Sequence, residues 1–117
     1  MRPVAVSAKE FLAEMVAIPG PKRYIVIGEG AILESGTGSA TTALKFTSTA
    51  FKGELATIST EDKSFEAHIY LDRVGQASFA KTSVIRLAAP DASPLMSIIV
   101  NTAGWEKMAS KYGELGV

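Results

Sequence analysis

His68 is the one imidazole in this sequence, and no cysteine accompanies it. Thiol catalysis, disulfides and thiolate metal sites are therefore excluded together. A transition-metal site would rest on His68 and carboxylates. Glu66 shares its strand face, but Asp72 lies about 13 Å further along an extended chain. Two ligands fall short of the three or four that a protein metal site uses, so no closed metal cage is expected. Eleven serines are present, and none sits on a nucleophile elbow. No spacing of carboxylates suggests a glycosidase-type pair. Gly28-Glu-Gly30 and Gly36-Thr-Gly38 resemble phosphate loops only in composition. A nucleotide fingerprint requires such glycines to open a helix, whereas β-type sequence follows both, so they read as hairpin turns.

The elements that must carry His68 follow from the change in hydrophobic period. Ser7–Ala17 reads as a helix. Ser7 and Glu10 have capping-box spacing, Phe11, Leu12, Met15 and Val16 form one apolar face, and Pro19-Gly20-Pro21 stops it. The period then drops to two. Strands are expected over Arg23–Ile27, Ala31–Glu34, Thr41–Thr49 and Phe51–Thr60, the last with Gly53 as a candidate bulge. Glu61–Ser64 is a charged hairpin turn. Phe65–Asp72 alternates most regularly, with Phe65, Ala67, Ile69 and Leu71 on one face and Glu66, His68, Tyr70 and Asp72 on the other. Further strands are expected at Gln76–Lys81, Val84–Ala88 and Leu95–Asn101. Ala103–Tyr112 returns to helical spacing, with Trp105, Met108, Ala109 and Tyr112 on one face and Gly113 at the C′ position.

The prediction is an α+β domain spanning 1–117. An antiparallel β meander of about seven strands in two packed sheets is flanked by N- and C-terminal helices. Phe11, Met15, Phe65, Ile69, Leu71, Ile98, Val100, Trp105 and Met108 are the expected core. Twelve basic residues balance twelve acidic ones, and 47% of the chain is hydrophobic. Such a balance argues against nucleic-acid binding by bulk electrostatics and against disorder. Lys9, Glu10 and Glu14 interrupt any secretory h-region, and no apolar run is long enough to span a bilayer, so a cytoplasmic location is expected. A small sheet system has open edges, which points to a homodimer.

The stretch from Phe65 to Asn101 resembles the haem-utilisation carriers of the HutX/ChuX type and the half-repeats of the larger HemS/HmuS proteins. Phe65, His68, Ile69, Leu71, Asp72, Val74 and Phe79 match the first block of that pattern, and Asp91, Met96, Ile99 and Val100 the second. The resemblance implies two packed antiparallel sheets with flanking helices, frequent dimerisation, and haem as ligand. It implies a non-enzymatic binding role, with His68 as axial ligand to the iron and Tyr70 beside it. Arg73 and Arg86, together with Arg23 and Lys81, become candidate partners for propionates. The chain departs from the pattern at Ala67, where the family usually has glycine, and is shorter than the usual carriers. A single neutral imidazole is chemically sufficient for haem. The alternative is a haem-free dimeric interaction module on the same fold. A haem-degrading enzyme ranks last, since no electron source or shaped distal pocket is visible.

Overall fold

The computed structural model describes residues 7–50 and 53–113. Two helices and eight strands follow one another as α1 (Ala8–Ala17), β1 (Arg23–Ile27), β2 (Ile32–Gly36), β3 (Thr42–Thr49), β4 (Gly53–Thr60), β5 (Glu66–Tyr70), β6 (Gln76–Ser78), β7 (Val84–Ala88), β8 (Pro94–Ile99) and α2 (Thr102–Tyr112). The fold is α+β, as the switch of period predicts. Each of the eight segments read as strands from the sequence overlaps one of the eight observed strands. Phe51, predicted to open the fourth strand, lies outside the described residues.

The strands form two antiparallel sheets. One is a three-stranded meander, β3-β4-β5; the other has five strands in the order β2-β1-β8-β7-β6. The larger sheet is not a simple meander. Its last strand returns to pair with its first, Tyr24 opposite Ile98 and Val26 opposite Met96. The smaller sheet is thus inserted between two halves of the larger one. Among the described residues, no helix is long and apolar enough to cross a membrane.

Helix α1 starts where the Ser7 hydroxyl accepts a hydrogen bond from the Glu10 backbone N–H, satisfying one of the donors a helix leaves open. Asn101 does the same for Gly104 at the start of α2. Phe11, Leu12 and Met15 are fully buried, as the apolar face requires. A single core unites both sheets and both helices. Tyr24 of β1 meets Phe65 with ring centroids 4.9 Å apart, which ties the two sheets together.

Several local expectations are corrected. Phe65–Asp72 does not run as one strand, because residues Leu71–Arg73 close into a 3-10 turn. Leu71 therefore leaves the alternation and is only half-buried. Trp105 is half-buried too. It lies edge-on to Phe79 at 6.5 Å while its indole N–H donates to the Val84 carbonyl at 3.0 Å, a partner that keeps one edge of the ring at the margin. Gly53 is no bulge. It opens β4 opposite Thr49 with a positive φ of 72°. Gly113 caps α2 in the right-handed region, not the left-handed one.

Lys22, just after α1, is the one charged residue among the described residues that are buried. Its ammonium donates to the Ile18 carbonyl, one of the acceptors exposed at a helix C-terminus. No carboxylate of the described residues pairs with it, and desolvation holds its pKa below 10.5. The unfolded chain keeps this proton to higher pH than the folded one. Stability should therefore rise with pH between the folded value and 10.5. Urea unfolding as a function of alkaline pH should show that rise in the wild type and a flatter profile in Lys22→Met. Parallel profiles would show that the Lys22 charge carries no such cost.

Candidate functional site

β5 is an edge strand, paired on one side with β4. The hairpin turn at 61–64 sets that pairing. Asp62 accepts from both the backbone N–H and the hydroxyl of Ser64. These bonds hold its carboxyl well below the usual carboxylate range, at about 2. With the turn fixed, Thr60 opposes Phe65 and Thr57 opposes His68. Alternation does the rest. Phe65 and Ile69 enter the core, while Glu66, His68 and Tyr70 are exposed, as the sequence pattern requires.

Both nitrogens of His68 are engaged. Nδ1 lies 2.9 Å from the Thr57 hydroxyl, and Nε2 lies 2.8 Å from Glu66 Oε2. A carboxylate only accepts, so Nε2 carries a proton in this arrangement, and an Nδ1 without one accepts from the Thr57 hydroxyl. The Thr57 hydroxyl can equally accept. Should the ring proton move to Nδ1, Thr57 would hold it there and leave Nε2 with a free lone pair. Orientation of the ring therefore belongs to Thr57, on the neighbouring strand, while Glu66 occupies Nε2.

Two adjoining clefts run along this edge of β5, where it faces β1, β2 and β8. The larger, about 500 Å³, is lined by Tyr24, Val26, Leu33, Phe65, His68 and Met96 among others. The smaller, about 200 Å³, is lined by Val26, His68, Ile69, Tyr70, Arg73, Leu95 and Met96. His68, Val26 and Met96 belong to both. Together the clefts fall in the size range of small-molecule sites. Their walls are mainly apolar, and Val26 is 43% exposed within them.

Tyr24 adds a polar group. It is 2% exposed, and burial pushes its phenol up to about 12, so the hydroxyl stays protonated. It has no hydrogen-bond partner among the described residues. A buried hydroxyl of this kind is uncommon in native structures, and this one belongs to a residue that lines the cleft.

The structure brings His68, Tyr70 and Arg73 together, as the sequence suggests. It does not bring Arg86 to them. Ile85 and Leu87 point into the core, so Arg86 between them projects from the opposite face of the larger sheet, in register with Ser78 and Ser97. Arg23 projects from that same outer face and pairs with Glu34, and Lys81 is exposed in the β6–β7 loop. No group of three or more metal-binding side chains occurs among the described residues. Thr57, Tyr24, Val26, Leu33 and Met96 are site residues that the sequence reading misses. Thr57 was accessible to it, since a turn at 61–64 implies the pairing with His68. The others depend on β8 returning to β1 and on the sheets packing, which no local pattern encodes.

No protein family's sequence pattern matches the chain, and no curated protein matches it.

Proposed function

We propose that this protein is a non-enzymatic binder of a flat, mainly apolar small molecule bearing hydrogen-bond acceptors, with haem as its type ligand. The observation that carries the reading is a mainly apolar cleft that holds His68 and is lined by Tyr24, a residue whose buried hydroxyl has no partner among the described residues. An apolar cleft with few, well-placed polar groups is the usual form of a ligand site. The resemblance of Phe65–Asn101 to haem-utilisation carriers points to the same ligand class.

The residues fit haem in three respects. His68 lines both clefts, and its Nε2 becomes available when the exposed Glu66 side chain turns away. Thr57 is placed to hold the Nδ1 proton, as partners of ligating histidines do. Arg73 lines the smaller cleft, where a propionate would find a cation. When bound, haem would supply the iron that His68 ligates. The protein's share is orientation of the imidazole and exclusion of water by Val26, Leu33 and Met96.

Hemin titration followed at the Soret band tests this reading. The wild type should show a saturable, shifted band. His68→Ala should weaken binding tenfold or more and move the band. Thr57→Val should weaken it with the band position retained, within the roughly 10–100-fold range of lost ligand-orienting partners. Unsaturable adsorption by the wild type, or an unchanged spectrum in His68→Ala, would overturn the haem assignment.

A further inference from the structure

Four strands form the edges of the two sheets: β2, β6, β3 and β5. Exposed edges invite pairing with another chain unless they are short, covered or charged. β6 has three residues, all buried. β3 carries Lys45 midway. β5 presents Glu66 and His68. β2 differs, because all five of its residues are exposed, with Ile32 at 68% and Leu33 at 69%. Being adjacent, these two point to opposite faces. Its one charged residue, Glu34, is already matched by Arg23 of the same chain.

The hydrogen-bond pattern fixes which backbone groups face outward. The Gly28 N–H donates to the Ala31 carbonyl, and the Thr37 N–H to the Lys22 carbonyl. The hydrogen-bonded pairs between them are then Val26–Leu33 and Tyr24–Ser35, by the alternation of an antiparallel ladder. Ile32, Glu34 and Gly36 consequently direct their N–H and C=O groups away from β1.

We infer that β2 pairs antiparallel with β2 of a second copy of this chain, Leu33 lying opposite Leu33 across a two-fold axis, to form a continuous ten-stranded sheet. This inference stands apart from the ligand reading. An isologous pairing must use the outward groups of both copies. Two registers do so over the strand's centre. One places Glu34 directly opposite Glu34, which like charge disfavours. The other places Leu33 opposite Leu33 and Ile32 opposite Glu34. It joins the two leucines on one face, sets each Ile32 beside the aliphatic stem of the partner's Glu34 on the other, and keeps the carboxylates apart. Four large aliphatics (Ile32 and Leu33 from each copy), together with two strand edges, bring the buried surface to on the order of the 1,000 Å² that a specific interface needs. Leu33 also lines the larger cleft, so the second copy extends that wall.

Sedimentation should give the wild type twice the 12.3 kDa chain mass. Leu33→Lys, which sets two ammonium groups against each other, should sediment as the monomer. Single cysteines test the register, since the chain has none of its own. Directly opposed residues in a non-hydrogen-bonded pair have Cα atoms about 4.5 Å apart, within disulfide reach. Leu33→Cys should therefore link two chains on mild oxidation. Glu34→Cys should not, because its counterpart is then about 8 Å away by the strand rise and spacing. A monomeric wild type, a dimer that survives Leu33→Lys, or linkage through Glu34→Cys in place of Leu33→Cys would each overturn the inference.

Discussion

Phe11→Ala should cost about 3–5 kcal/mol of folding stability, the range for removing a buried phenylalanine. Phe11 is 1% exposed in the middle of α1. Its ring meets Tyr112 of α2 at 5.1 Å and Phe79, one residue beyond β6, at 6.1 Å. Among the described residues it is the one ring in contact with both. Truncation removes the transfer free energy of the ring and leaves a cavity that three separate elements cannot close together. Native domains hold about 5–15 kcal/mol in total, so the loss takes a large share. Urea unfolding should show a lower midpoint with an unchanged slope, the sign of a stability change in a two-state domain. Part of the loss should be shared with Tyr112, because tilted ring pairs contribute beyond their area. The double variant Phe11→Ala, Tyr112→Leu should then lose less than the sum of the single losses. A cost below about 1 kcal/mol would place Phe11 at the surface and overturn the helix packing described above.

The position of Phe11 was legible in the sequence because a helix writes its buried face into adjacent residues. Phe11, Leu12 and Met15 needed only the 3.6 period. β5 was equally legible as far as Tyr70, since its alternation is regular and a turn precedes it. Beyond Tyr70 the sequence still alternates, but the chain does not. Leu71–Arg73 closes into a turn because β5 ends there and the chain must cross to the other sheet. The crossing is a non-local demand, invisible in a run of seven or eight residues. Sheet order is hidden for the same reason. β1 and β8 are separated by more than half of the chain, and Tyr24 and Met96 reach the same cleft wall only because these two strands pair. Arg86 illustrates the opposite error. Its type suited a propionate, but its parity between Ile85 and Leu87 sends it to the far face of the sheet. That parity was readable in the sequence. The location of the cleft, which makes the parity decisive, was not.

Gly75→Val should be among the most damaging single changes in the chain, by at least about 3 kcal/mol, at the upper end of overpacking costs. Gly75 precedes β6, and its N–H donates to the Ala88 carbonyl at 2.9 Å. A Cβ built there would lie 2.5 Å from both the nitrogen and the Cα of Pro90, and 3.0 Å from the Ala89 carbonyl carbon. All three are backbone atoms, so no rotamer change relieves the contact. The proline ring fixes its own φ, and Ala89 is tied to Ser93 across the following loop, its N–H donating to the Ser93 carbonyl. Relief must come from separating β6 from β7, which exposes Gln76, Ala77 and Ser78, all buried in the native fold. Gly30→Val is the matched control, because a Cβ at Gly30 meets nothing within 4 Å. It should leave stability within about 0.5 kcal/mol, as surface substitutions do. Thermal unfolding of the two variants side by side separates the effect of close approach from the general effect of replacing a glycine. If both unfold at the wild-type temperature, the backbone of Pro90 does not lie against Gly75, and the β6–β7 edge of the larger sheet is arranged differently from this description.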